Sequence, residues 1–120
     1  MKLSDIKRGD ILVAQHNDTV SYQFERDYII FIADGSKIFK GCSNGDYTSY
    51  DIPVIAAIDL ENDFMVDSTI GFTKYSRIEY KTTTLRKPTL NEMLDILNRL
   101  KENGYKYYRK NKLLVKQLKQ

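Results

Sequence analysis

Tryptophan is absent from this chain, and cysteine and histidine occur once each, as Cys42 and His16. A lone cysteine excludes an intramolecular disulfide, fits a reducing compartment, and cannot build a thiolate metal cluster. With one histidine beside it, zinc sites of the Cys/His kind fail on ligand count, so no metal and no cofactor is expected. No apolar run approaches the ~20 residues that span a bilayer. The opening Met1-Lys2-Leu3-Ser4-Asp5-Ile6-Lys7-Arg8 lacks the apolar core of a signal peptide. The expectation is a soluble, cytoplasmic protein with no membrane partner. Also missing are a Gly-rich phosphate loop, a GxSxG elbow and an HExxH motif.

What is present fits one globular domain, 1–120. The 120 residues include 42% hydrophobic and 29% charged side chains, enough apolar material for one core and too much for general disorder. The net charge of +3 conceals an asymmetry. Residues 1–80 carry 8 Lys/Arg against 13 Asp/Glu, a net −5, and residues 81–120 carry 11 against 3, a net +8. A basic end on an acidic body reads as a surface for nucleic acid, phosphates or an acidic protein. Docking of the two halves on each other, with mutual neutralisation, is the competing reading.

The β-rich half, 1–80, opens with the turn Lys7-Arg8-Gly9-Asp10 and the apolar run Ile11–Ala14, followed by a polar loop at His16-Asn17-Asp18-Thr19. Asp27 to Ala33 is the strongest β segment, and Asp34-Gly35 then predicts a tight hairpin to a strand over Lys37–Gly41. Residues 43–51 read as a polar loop, and Pro53 as the entrance to a strand running to Leu60. After a turn at Glu61-Asn62-Asp63, short strands are expected at Phe64–Val66, Ile70–Phe72 and Arg77–Tyr80. The segment 89–103 is a helix: Thr89 and Glu92 form a capping box, Leu90, Met93, Leu94, Leu97 and Leu100 form one stripe, and Asn103-Gly104 ends it. In the basic aromatic tail, 104–120, Tyr105–Tyr108 and Leu113–Leu118 can pair as a hairpin, with a second short helix from Lys110 as the alternative. The fold expected is α+β: an antiparallel, small SH3-like barrel sheet, one C-terminal amphipathic helix and a short terminal hairpin.

The pattern Arg86-x-Pro88-Thr89-x-x-Glu92, Leu97, Leu100, Gly104-Tyr105-x-Tyr107 and Lys112-x-Leu114 resembles the C-terminal signature of a group of short bacterial and phage-borne proteins. In that group a small β-barrel-like half precedes a capped helix and a Gly-Tyr-x-aromatic tail. The resemblance covers about a third of the chain. It departs in having Tyr107 where Trp is commoner and Arg109-Lys110-Asn111-Lys112 where the turn is of mixed charge. It implies the fold, no particular activity, and a phage or mobile-element accessory protein.

Candidate chemistry centres on the tail. Residues 99–120 hold eight Lys/Arg against Glu102 alone. Tyr105, Lys106, Tyr107, Tyr108, Arg109, Lys110 and Lys112 are the expected partner- and anion-binding residues, cations tracking phosphates while tyrosines stack on bases. Packing of Tyr105 and Tyr107 on the sheet, with lysines left to solvate the surface, is the alternative. The function expected is a non-enzymatic binding module that occupies a protein complex or a phosphate-bearing ligand, nucleotide or nucleic acid. Sequestration of a nucleotide signal is a second reading, and a Cys42/His16 hydrolase-type enzyme a third. The acidic run Asp59-x-Glu61-x-Asp63 lacks the Gly and terminal Glu of a calcium loop and reads as a solvated turn. Tyr47, Tyr50 and the tail tyrosines suit a homodimer contact equally well.

Overall fold

A computed structural model describes residues 1–17, 24–76, 82–108, 110 and 113–116. After a 3₁₀ turn at Leu3–Asp5, the elements are β1 (Ile11–His16), β2 (Tyr28–Ala33), β3 (Phe39–Ser43), β4 (Tyr47–Ile58), β5 (Phe64–Tyr75), β6 (Thr83–Arg86), α1 (Leu90–Glu102), β7 (Tyr105–Tyr108) and β8 (Leu113–Lys116). All pairings are antiparallel: β1 lies between β2 and β6, and β2 lies between β1 and β4. β4 carries β5 along one edge, and on the other it carries β3 beside its first half and β2 beside its second. β7 and β8 form a separate hairpin.

The central strands are apolar on both faces because both are covered. One face packs Leu12, Ala14, Ile29, Phe31, Ala33, Val54 and Ala57 against Ile52, Ile70 and Phe72 from the far half of the β4–β5 ribbon. The other packs Val13, Ile30, Ile32, Ile55, Ala56 and Ile58 against Ile96 and Leu100 of the helix, with Tyr105 and Tyr107 beside them. Strands buried on two sides read as continuous hydrophobic runs, which is how Ile29–Ala33 and Val54–Ile58 are written.

One irregularity makes this arrangement work. Ile32 pairs with Ala56 and Ala33 with Val54, so Ile55 is an extra residue in β4. Such a bulge bends its strand and increases local twist. Across the ladder Asp67, flanked by the pairs Val54↔Ser68 and Ala56↔Val66, takes φ 48. Beyond this point the ribbon folds over the first face. The sheet nevertheless stays open, which corrects the expected SH3-like barrel. Among the described residues no backbone ladder joins β5 to β6, and the two meet through the Thr73 N–H donating to Thr83 Oγ1 at 3.4 Å.

Several local expectations also change. Asp34-Gly35 does not join a hairpin, because the edges of β2 are taken by β1 and β4 and β3 pairs with β4 instead. Gly35 adopts φ +83, and a Cβ there would stand 2.6 Å from Arg8 Cβ and 2.7 Å from its backbone. Gly at this point is therefore demanded by close chain approach. The polar stretch 43–51 is a loop only at its start: Asn44 Oδ1 accepts from the Asp46 and Tyr47 N–H groups, and Tyr47–Asp51 then opens β4. Pro53 lies within β4, with its carbonyl accepting from Asp34 N–H. Nitrogen and carbonyl of a strand residue face the same edge, so its missing donor falls in the gap between β3 and β2, where no ladder needs it. Phe64–Val66 and Ile70–Phe72 belong to one 12-residue strand. His16 ends β1, paired with Thr83. The strand expected at 77–80 and the loop residues Asp18 and Thr19 lie outside the described residues.

The helix is capped as its sequence states: Thr89 Oγ1 accepts from Glu92 N–H at 3.2 Å, and Glu92 Oε1 accepts from Thr89 N–H at 2.8 Å. Its buried side differs from the expected stripe. Ile96 and Leu100 are fully buried with Leu97 beside them, whereas Leu90 and Leu94 are 70% and 46% exposed. The core face is thus rotated towards Ile96, a residue the leucine pattern passes over. Gly104, at φ 82, ends the helix, and the terminal hairpin forms as expected with β8 at Leu113–Lys116 in place of a second helix.

Glu92 has a second task. It receives a two-pronged contact from Arg86, Nη1 to Oε1 and Nη2 to Oε2, both 2.7 Å. The Arg86 hydrogen bonds, assisted by those from Thr89, hold the Glu92 carboxyl at about 2 against their opposing burial cost. Its side chain is only 12% exposed, so the pairing is worth about 1–2 kcal/mol after allowance for the more open arginine.

Three outcomes follow from these contacts. Gly35→Ala should cost more than about 2 kcal/mol in urea unfolding, since strain and collision add. Asp67→Gly should be neutral or stabilising by up to about 1 kcal/mol, because it relieves a left-handed residue in open solvent. A carboxyl lowered in the folded state stabilises fully above its unfolded value and loses this as pH falls towards the folded value. Stability of the wild type should therefore drop between pH 4.5 and about 2, and Glu92→Gln should flatten that part of the pH–stability curve.

Candidate partner-binding surface

Strand alternation divides the tail tyrosines. Tyr105 and Tyr107 are half-buried and face the sheet, and Lys106 and Tyr108 face outward. Tyr105 packs its ring 6.4 Å from that of Phe64, and the Tyr107 hydroxyl donates to the Gly9 carbonyl at 3.0 Å. These two side chains are committed to packing. Tyr108 is 40% exposed, and Lys106 Nζ sits 5.0 Å from its ring centroid, as expected of residues two apart on one strand face. Lys110 is exposed just past the strand, and Val115, opposite Lys106 on β8, is 38% exposed. Arg109 and Lys112 lie outside the described residues.

The arginines and the lysines of the basic half behave differently. Arg86 is held by Glu92, and Arg99 by Asp95 at 3.7 Å and by the Asn62 carbonyl and side chain at 2.9 and 2.6 Å. Arg26, from the acidic half, donates to the Ile58 and Asp59 carbonyls, approaches Asp95 at 3.9 Å, and stacks 4.6 Å over Tyr28. Planar guanidinium groups suit such forked, stacked positions, and a lysine does not replace them. Lys101, Lys106 and Lys110, by contrast, make no ion pair among the described residues.

The basic end and the acidic turn do touch, through Arg99 and Asn62. The contact uses a carbonyl and an amide rather than the turn's carboxylates. Asp59 Oδ1 is occupied with the Glu61 and Asp63 N–H groups, which makes it a turn former. No group of three potential metal ligands occurs among the described residues.

Cys42 and His16 are assigned to strands that share no ladder. Cys42 is exposed on β3, with its N–H donating to Ser49 Oγ at 3.1 Å and the Tyr47 hydroxyl 4.0 Å from its sulfur. His16 belongs to β1, beside β6. No strand pairing brings the two together as nucleophile and base.

Sequence reasoning passes over the role of Arg86, although its spacing before the capping box was available as a signal. Arg26 gave little local signal, because the partners of its hydrogen bonds and ion pair are 32, 33 and 69 positions away. A cleft of ≈ 300 Å³ between the start of β1 and the β6–α1 connector was also unforeseen. No helix among the described residues is long and apolar enough to cross a membrane. Comparison with family models, curated proteins and solved structures finds no match for this chain.

Proposed function

We propose that this chain is a non-enzymatic binding module that holds an extended phosphate-bearing polymer, single-stranded nucleic acid, on the outward face of its C-terminal hairpin. The observation that carries this reading is the separation of cation types. The arginines of the basic half named above are engaged internally, and Lys101, Lys106 and Lys110 point outward without a carboxylate partner among the described residues. Lysine ammonium groups release counterions on meeting phosphates, and Tyr108 supplies a ring face next to them. The surface is a strand face rather than an enclosed pocket, which favours a polymer over a captured mononucleotide. The resemblance to short phage-borne proteins is in keeping with an accessory role of this kind.

Fluorescence anisotropy with a labelled single-stranded oligonucleotide tests the proposal. Binding is expected to weaken steeply with salt, and Lys106→Ala should lower the slope of log K against log salt by about 1. Tyr108→Ala should cost about 1–3 kcal/mol if its ring carries a base. Tyr107→Phe should lower folding stability by about 1 kcal/mol, through loss of the bond to Gly9, with unchanged oligonucleotide affinity. No oligonucleotide binding at low salt would overturn the reading, as would mononucleotide binding as tight as the polymer's.

A further inference from the structure

The cleft at the start of β1 is lined by Met1, Ile11, Leu12, Pro88 and Met93, with one acidic side chain, Asp10, and one basic side chain, Lys87. These two form no ion pair with each other or with any other described residue. Asp10 is anchored by its Oδ2, which accepts from the Lys7 N–H at 2.9 Å in the turn that starts the strand. Lys87 is exposed on the connector, just ahead of the helix cap, and Arg86 beside it is taken up by Glu92. The cleft thus combines apolar lining with one acidic and one basic residue that are not paired with each other. The volume of ≈ 300 Å³ lies at the small end of the range for ligand sites.

We propose that this cleft binds a free α-amino acid with an apolar side chain. The ligand's ammonium meets Asp10, its carboxylate meets Lys87, and its side chain lies against Ile11, Pro88 and Met93. A zwitterion satisfies both charges at once, whereas a simple fatty acid or amine leaves one of them unmatched. This site shares no residue with the hairpin face, so it stands or falls independently of nucleic-acid binding.

The test is a titration of the full chain with L-leucine, followed by NMR chemical shifts. Two analogues run beside it, 4-methylpentanoate, which lacks the ammonium, and 3-methylbutylamine, which lacks the carboxylate. Saturable shifts at Ile11, Leu12 and Met93 are expected with leucine. Each analogue should bind at least about tenfold more weakly, as should leucine to Lys87→Gln and to Asp10→Asn. Asn at position 10 keeps an oxygen for the Lys7 N–H, so this variant retains the turn, and its amide spectrum verifies the fold. Absence of saturable shifts, shifts centred elsewhere, or equal binding of either analogue would overturn the proposal. Unchanged leucine affinity in either folded variant would overturn it too.

Discussion

The extra residue in β4 is the constraint on which the rest of this structure depends. Strict alternation would send Val54 and Ala56 to one face and Ile55 and Ala57 to the other. Instead Ile55 and Ala56 both serve the helix-covered face, and Val54 and Ala57 both serve the opposite one. The strand therefore changes phase at its midpoint, and the ribbon changes direction with it. Asp67 adjusts on the neighbouring strand without shifting the register. Without this slip one half of β4 would present its apolar residues to water, because a single-residue shift exchanges faces. Two covered faces, and hence a site for the helix and hairpin, follow from it.

Charge is arranged with the same division of labour. Arginine is used where two or more acceptors converge: Glu92 at the helix cap, Asn62 at the β4–β5 turn, and the carbonyls of Ile58 and Asp59. These contacts fasten α1 to the sheet at both ends of the helix. Lysine is used where a charge is left in solvent, over the helix end and the outward strand face. Net charge alone does not distinguish these uses, since +8 over residues 81–120 counts both kinds equally. Their geometry does.

Much of the fold was legible because it was written in local terms. The cap at Thr89 and Glu92, the stop at Gly104, the strand at Ile29–Ala33 and the hairpin of β7 and β8 rest on residues within one turn or one ladder. The readings that changed depended on distant partners. Asp34-Gly35 has hairpin chemistry, but its glycine serves an approach to Arg8, 27 residues earlier. Leu90 and Leu94 continue a leucine pattern, but the sheet accepts Ile96 because the helix is oriented by Arg86 and Arg99 at its two ends. In the tail, composition identified the basic aromatic segment, and only the packing of Tyr105 and Tyr107 separates its inner residues from its outer ones. The cleft between Asp10 and Lys87 joins residues 77 positions apart and left no trace in any local pattern.

The hydroxyl of Tyr107 reaches the carbonyl of Gly9, 98 positions earlier. A chain emerging from the ribosome can close β1 on β2 early, yet Phe64 lacks its covering ring until Tyr105 is free of the exit tunnel. Final closure of the helix-covered face therefore waits until β7 has left the tunnel, and a product truncated before Tyr105 carries an uncovered apolar flank. Quality-control proteases and chaperones that scan for such flanks would thus distinguish chains that carry the hairpin from chains that stop short of it.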